Sequence, residues 1–303
     1  MIRLGTRGSA LALAQAGWVA ERLRDDVEVV TITTSGDRAS AHGAHGSPPE
    51  GGDKARFVKE IEEALIAADI DLAVHSAKDV PSELPEGLAI VGVPSRANPH
   101  DALCGARSLD ALAEGAVVGT ASVRRRAQLL ALRPDLEVRD LRGNVDTRLR
   151  RLAEAAFDAI VLAQAGLDRL GRGNEGTALP ELVPAPGQGC LALEARRDDT
   201  ATSTAAAGLT DPAAFTQLSA ERALVTALEA SCHTPIGAHA VSNGLAITLS
   251  AFVGLPDGSR WIRDELGGDA ADPAGLGRMV GERLLAAGAD ELLGQAERMA
   301  VQA

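Results

Sequence analysis

Asp79 follows Lys78 directly in the segment AVHSAKD, an acid among polar and cationic residues at the end of a short apolar run. Such an acid can close a salt bridge or cap a helix. It can also face developing positive charge or shuttle a proton. Five clusters share this placement: Arg7 and Ser9; Ser76, Lys78 and Asp79; Ser122, Arg124 and Arg125 after VVGT; Arg142 and Asn144 after VRDL; and Arg169 beyond IVLA. Most also open a helical pattern, whose free N–H groups and dipole favour anions. A lone Arg ordinarily belongs to a solvated face, but repetition at equivalent strand ends points to a ligand with several carboxylates or phosphates, lying between two lobes.

The charge distribution fits such a ligand. The net charge is −12, which argues against nucleic acid or anionic lipid as a partner. Residues 122–151 nevertheless hold nine Arg against four acids. A local cationic patch on an acidic chain suits a small polyanion. The 303 residues include only three Lys, at 54, 59 and 78, and no Tyr. In a chain so biased toward Arg, Lys is expected where an ammonium is hard to replace.

Cys104, Cys190 and Cys232 form no CxxC pair, so neither a zinc site nor a disulfide framework is expected. Cys232 lies in the polar turn EASCHTPIG, whereas the default for a lone cysteine is a buried, inert thiol. No apolar run approaches the roughly 18 residues that span a bilayer. The N-terminal apolar run reads as part of an amphipathic helix rather than a signal peptide, so a cytoplasmic chain is expected.

The elements that must position these residues alternate strand and helix. Strands are expected at Ile2–Thr6, Val27–Thr33, Leu72–His75 and Leu88–Val93, with helices at Ser9–Leu23 and Arg56–Ala67. A second set has strands at Val117–Gly119, Leu136–Leu141 and Ala159–Ala163, with helices at Val123–Leu132 and Val145–Ala155. The pattern makes two doubly wound α/β lobes. LALEA, residues 191–195, reads as a strand returning to the first lobe. After a helix near Phe215–Leu228, residues 236–266 form a three-stranded meander, followed by a helix near Pro273–Ala287, which makes a small α+β domain. The expected division is 1–93 with 193–210, then 94–192, then 211–303. The Gly-rich stretch 35–55 is long enough for a lid, and its His42 and His45 read as solvated.

The segments RLGTRGSALALAQA, FVKE, DLAVHSAKDVP, GTASVRRRAQL, LRGNVDTRLRRL, APGQGCLALE and SCHTPIGAHA run along the whole chain. Together they resemble the porphobilinogen deaminase family, also called hydroxymethylbilane synthases. The resemblance implies two lobes like those of periplasmic binding proteins plus a small α+β C-terminal domain, working as a cytoplasmic monomer. It implies a dipyrromethane cofactor on Cys232 through a thioether, and Asp79 as the catalytic carboxylate. Ser76, Lys78, Ser122, Arg124, Arg125 and Arg142 would hold the cofactor, and Arg7, Ser9, Gln15, Lys54, Lys59, Arg148 and Arg169 the substrate. The implied reaction condenses four porphobilinogen molecules head to tail with loss of ammonia, giving the linear hydroxymethylbilane. An acetate and a propionate on every ring would call for an Arg-rich site. The competing expectation is a non-catalytic two-lobed anion-binding protein, which leaves Asp79 and the turn cysteine unexplained.

Overall fold

The computed structural model describes residues 1–35, 58–229 and 234–302. In chain order the elements are β1 (Ile2–Arg7), α1 (Ala10–Ala20), β2 (Val27–Ile32), α2 (Lys59–Ile66), β3 (Leu72–Ser76), β4 (Leu88–Gly92), β5 (Asp101–Cys104), β6 (Val117–Gly119), α3 (Val123–Leu132), β7 (Glu137–Arg139), α4 (Val145–Ala153), β8 (Ala159–Ala163), α5 (Gln164–Arg169), β9 (Thr177–Leu179) and β10 (Leu191–Arg196). Then follow α6 (Thr200–Ala207), α7 (Pro212–Ala227), β11 (Ile236–Asn243), β12 (Ala246–Gly254), β13 (Trp261–Asp269), α8 (Pro273–Ala286) and α9 (Ala289–Gln302). The chain divides into two compact units, Met1–Ala97 with Gly189–Phe215, and Asn98–Gln188 with Thr216–Ala303.

The first unit is built on a sheet of order β2-β1-β3-β10-β4. β1 runs parallel to both β2 and β3, while β10 returns antiparallel between β3 and β4. Helices cover both faces, so its central strands are largely apolar, with His75 and Glu194 the buried exceptions on β3 and β10. Leu4, Leu72, Val74 and Leu193 pack with Ala16 and Val19 of α1. Ala73 and Leu88 pack with Ile61 and Leu65 of α2. Alternation along β3 therefore turns Ser76 to the α1 face and His75 to the α2 face.

The second unit contains a sheet of order β7-β6-β8-β5-β9, in which β6 is parallel to β7 and β8 and β5 is reversed between β8 and β9. β5 and β9 depart from the sequence expectation. One is a four-residue strand holding a buried acid, the other only three residues long, and neither leaves a period-2 signal. α6, made of TATSTAAA, was also unanticipated because Thr is a weak helix former. Asp199 compensates by accepting the Thr202 N–H at 3.0 Å and its hydroxyl at 2.8 Å.

The meander β11-β12-β13 forms a separate antiparallel sheet in this unit. Leu224, Leu276, Val280, Leu284 and Leu292 from α7, α8 and α9 fill one side of it. Glu221 on α7 is fully buried. One of its oxygens accepts the Ala240 N–H at 2.7 Å, the other the Gly187 N–H at 2.6 Å. Gly187 has φ +75°, a conformation that favours glycine. The carboxylate thus ties the PGQG turn to the C-terminal sheet. Glu221→Ala should strand two buried N–H groups and lower unfolding free energy by about 2–4 kcal/mol, with Glu221→Gln losing less. Urea midpoints at constant m-value check this, and a shift equivalent to under about 0.5 kcal/mol for the Ala variant would contradict it.

Candidate active site

In the first unit, β1 and β3 are parallel neighbours, so their C-terminal ends lie side by side. Arg7 closes β1 and is half-buried. Ser9 caps α1, its hydroxyl accepting the Ala12 N–H at 3.3 Å. Gln15, 4% exposed on α1, donates its amide N–H to the Ser76 hydroxyl at 2.9 Å. That bond ties α1 to the end of β3.

Immediately after β3 the chain makes one 3-10 turn, Ala77–Asp79. The Ala77 N–H donates to the Cys190 carbonyl at 3.0 Å, anchoring the turn where β10 begins. Lys78 and Asp79 are half-buried within it. Main chain thus anchors the turn at Ala77, and Gln15 holds Ser76 just before it. Lys59 opens α2, exposed and 3.9 Å from Glu63 one turn on. Lys54 and Cys232 fall outside the described residues.

In the second unit the parallel strands β6, β7 and β8 end along one edge. Beyond β6, Ser122 caps α3 by accepting the Arg125 N–H at 3.4 Å. Arg142 follows β7, exposed and 3.7 Å from Asp140. Asn144 caps α4, and the Arg148 Nε donates to the Gly143 carbonyl at 2.7 Å. Arg169 ends α5, half-buried.

Arg124 and Arg125 differ from solvent-facing clamps, for they are only 4% and 5% exposed. Both pair with Asp101 at the start of β5, which is fully buried. Arg124 Nη1 and Nη2 donate to the Asp101 oxygens at 2.7 and 3.1 Å, and Arg125 Nε donates at 2.8 Å. Further donors reach the Val183 and Val161 carbonyls at 2.7 and 2.9 Å. Gln188 adds an amide N–H to Asp101 at 3.0 Å and another to the Pro99 carbonyl at 2.7 Å. Burial pushes the Asp101 carboxyl up, but the two guanidiniums overcome this and hold it well below the usual range. Two cations on one carboxylate leave a surplus positive charge, and the Arg124 Nε is buried without a partner. This donor set, with the serines and arginines at the same edge, fits a group bearing carboxylates.

Asp101 and Gln188 were not anticipated as site-forming residues. Their only signals were a lone acid beginning the apolar run DALC and an amide between two glycines. Cys104 and Cys190 are buried, with burial pushing the Cys104 thiol up to about 11, as expected of packing residues. No group of side chains suited to a metal ion occurs among the described residues.

Two mixed five-stranded sheets with polar and cationic residues at their strand ends, and a three-stranded antiparallel sheet packed with helices, define a mixed α/β protein. A periplasmic substrate-binding protein of an ABC transporter from Coxiella burnetii aligns with 71% of this chain and 94% of its own, at TM-score 0.42 and 14% identity. At that level it adds no argument. The sequence relationships are decisive. Residues 2–204 match the family model described as porphobilinogen deaminase, dipyromethane cofactor binding domain, and residues 215–286 match the porphobilinogen deaminase C-terminal domain. Porphobilinogen deaminase of Deinococcus radiodurans is 46% identical, covering 96% of this chain and 97% of its own. That of Thermus thermophilus is also 46% identical, covering 97% and 99%. The chain belongs to the porphobilinogen deaminase family.

Removing Asp101's charge should be severe. Asp101→Asn leaves two buried guanidiniums without a counter-charge, at a cost of about 3–5 kcal/mol. Because the folded carboxyl is held down, its contribution is complete above the ordinary value of 3.8 and is lost as pH falls below it. The stability gap between wild type and Asp101→Asn should therefore narrow in acid. Unfolding curves at neutral pH and below pH 3.8 check this; a gap that is constant or widens in acid would contradict it.

Proposed function

We propose that the chain condenses porphobilinogen head to tail, releasing ammonia, into the linear tetrapyrrole hydroxymethylbilane, with Asp79 as the reacting carboxylate. The observation that carries this is membership of the family along nearly the whole chain, with DLAVHSAKDVP falling on the β3 turn that presents Asp79. No helix among the described residues is long and apolar enough to cross a membrane. We place the protein in the cytoplasm as a monomer, acting on a small molecule without nucleic acid or membrane. Its work is divided between a first lobe for chemistry, a second for anion binding and a C-terminal domain bearing the thiol.

A dipyrromethane on Cys232, held by a thioether, supplies the free pyrrole position from which the product grows. Ser76, Lys78, Ser122 and Arg142 would hold its acetate and propionate groups, with Arg124 adding the buried Nε that Asp101 leaves over and Arg125 adding charge from its pair with Asp101. Arg7, Ser9, Gln15, Lys54, Lys59, Arg148 and Arg169 receive those of the substrate. Arg is suited to this because its planar fork meets a carboxylate with two parallel hydrogen bonds. The surplus charge of the Arg124–Asp101–Arg125 cluster adds attraction without requiring a basic protein.

As ammonia leaves porphobilinogen, positive charge develops on the substrate ring, and each coupling must then release a proton. The cations that hold the acids oppose that charge. Asp79 answers it. A carboxylate about 4 Å away at an effective dielectric near 20 stabilises unit positive charge by roughly 4 kcal/mol, about three decades in rate. A non-catalytic anion binder would have no use for this acid among its cations.

Asp79→Asn keeps the size and removes the charge, so it should fold and lose about three decades of turnover, whereas Asp79→Glu should retain more. Turnover is compared at matched folded, cofactor-loaded concentration, and near wild-type activity in the Asn variant would reduce Asp79 to a structural role. Peptide mass spectrometry of active protein should find the peptide containing Cys232 heavier by two deaminated pyrrole units. An unmodified peptide in a fully active preparation would exclude Cys232 as the attachment point.

A further inference from the structure

One residue before Ser76, β3 carries an imidazole that the proposed chemistry leaves unused. His75 faces the opposite side of the sheet, where it meets Glu194 of β10 beneath Glu62 of α2. Its Nε2 lies 3.1 Å from Glu194 Oε2, within ion-pair range but off the line of a hydrogen bond. The His75 and Glu194 side chains are 3% and 0% exposed, and Glu62 is buried above them. Neither Glu194 oxygen nor Glu62 Oε1 receives a hydrogen bond. The surrounding layer is apolar, formed by residues such as Ile61, Leu65 and Leu88.

We propose that Glu62, Glu194 and His75 are positioning residues for Asp79, a buried proton-holding cluster that fixes the end of β3 against β10 and α2 and so sets the turn carrying Ser76, Lys78 and Asp79. The inference rests on the reading of Asp79 as the reacting carboxylate. Two ionised carboxylates in this space would repel each other across a poorly screened layer, so one must keep its proton for the other to pair with His75. Burial first, then Glu194, push Glu62 up to about 7, with His75 acting the other way. The remaining charge bearing on Glu62 is Glu63 on the outer side of α2. Glu60 of the same helix accepts the Ser35 N–H. Arg196 of β10 is directed elsewhere, to the Leu65 and Ile70 carbonyls and to Asp71 and Asp199. β4, the other strand against α2, has no titratable side chain.

While Glu62 keeps its proton, His75 faces Glu194 without competition. Once Glu62 ionises, as pH rises toward about 7, a second carboxylate competes for the imidazole and the β3 turn loosens. Unfolded Glu62 ionises near 4.5, so the stability contributed by the proton-holding cluster is full below 4.5 and lost as pH rises toward 7. The kcat profile of the cofactor-loaded enzyme should show an alkaline limb near pH 7. Glu62→Gln, uncharged in the same shape, should abolish the limb and flatten stability over this range. Glu194→Gln should lower kcat about tenfold with little change in KM. A wild-type profile flat through pH 7, or a Glu62→Gln profile superimposable on it, would overturn the proposal. Should Glu62→Gln fail to fold, carbon NMR of side-chain carboxyls in the wild type must show one glutamate titrating near 7; all titrating near 4.5 would overturn it equally. An active Asp79→Asn strikes the reading of Asp79 itself, whereas an inactive one beside a superimposable Glu62→Gln profile strikes only the cluster.

Discussion

Taking a carboxylate out of water costs several kcal/mol unless basic or hydrogen-bonding groups meet it, and this constraint shapes both units. Each α/β sheet has a reversed strand inserted among parallel ones, and each reversed strand carries one fully buried acid, Glu194 on β10 and Asp101 on β5. Each acid then faces basic side chains from neighbouring elements. Asp101 draws Arg124 and Arg125 inward and thereby fixes the first turn of α3 against β5. Glu194 draws His75, one residue before the polar turn of β3. Glu221 shows the same economy with main-chain N–H groups as partners, joining the PGQG turn to the C-terminal sheet.

The positive charge of this acidic protein is concentrated rather than abundant. The net charge of −12 coexists with two guanidiniums sharing one buried carboxylate, and buried charge is screened far less by salt than surface charge. The exposed ion pairs of Arg139 with Glu137 and of Arg150 with Glu154 belong to the solvated surface and contribute little. An Arg-rich segment thus separates into buried cations held by Asp101 and outer cations on the solvated surface.

Much of this was legible in the sequence where a local pattern had a single physical meaning. Val117–Gly119, Val123–Leu132 and Ala159–Ala163 fall as expected, because apolar runs and a Ser cap mark their ends unambiguously. The strand ends at Arg7 and Ser76 were equally readable, whereas the strand before Arg142, expected over Leu136–Leu141, spans only Glu137–Arg139. The burial of Arg124 and Arg125 was not legible, since their partner Asp101 lies more than twenty residues earlier on a strand too short to show periodicity. Glu194 likewise sits within LALEA, where nothing local distinguishes a buried acid from an outward one. Pairing of distant charges is settled by sheet order, and sheet order reversed by an inserted strand leaves no trace in local spacing.

The central claim is that a site built to hold carboxylates also consumes its ligand. It is tested most directly by supplying porphobilinogen to the purified, cofactor-loaded protein and following ammonia, porphobilinogen and hydroxymethylbilane together. The account predicts one ammonia released for every porphobilinogen consumed, with hydroxymethylbilane as the product. Tight binding of porphobilinogen with none consumed and no ammonia formed would contradict it and leave a two-lobed anion-binding protein in its place.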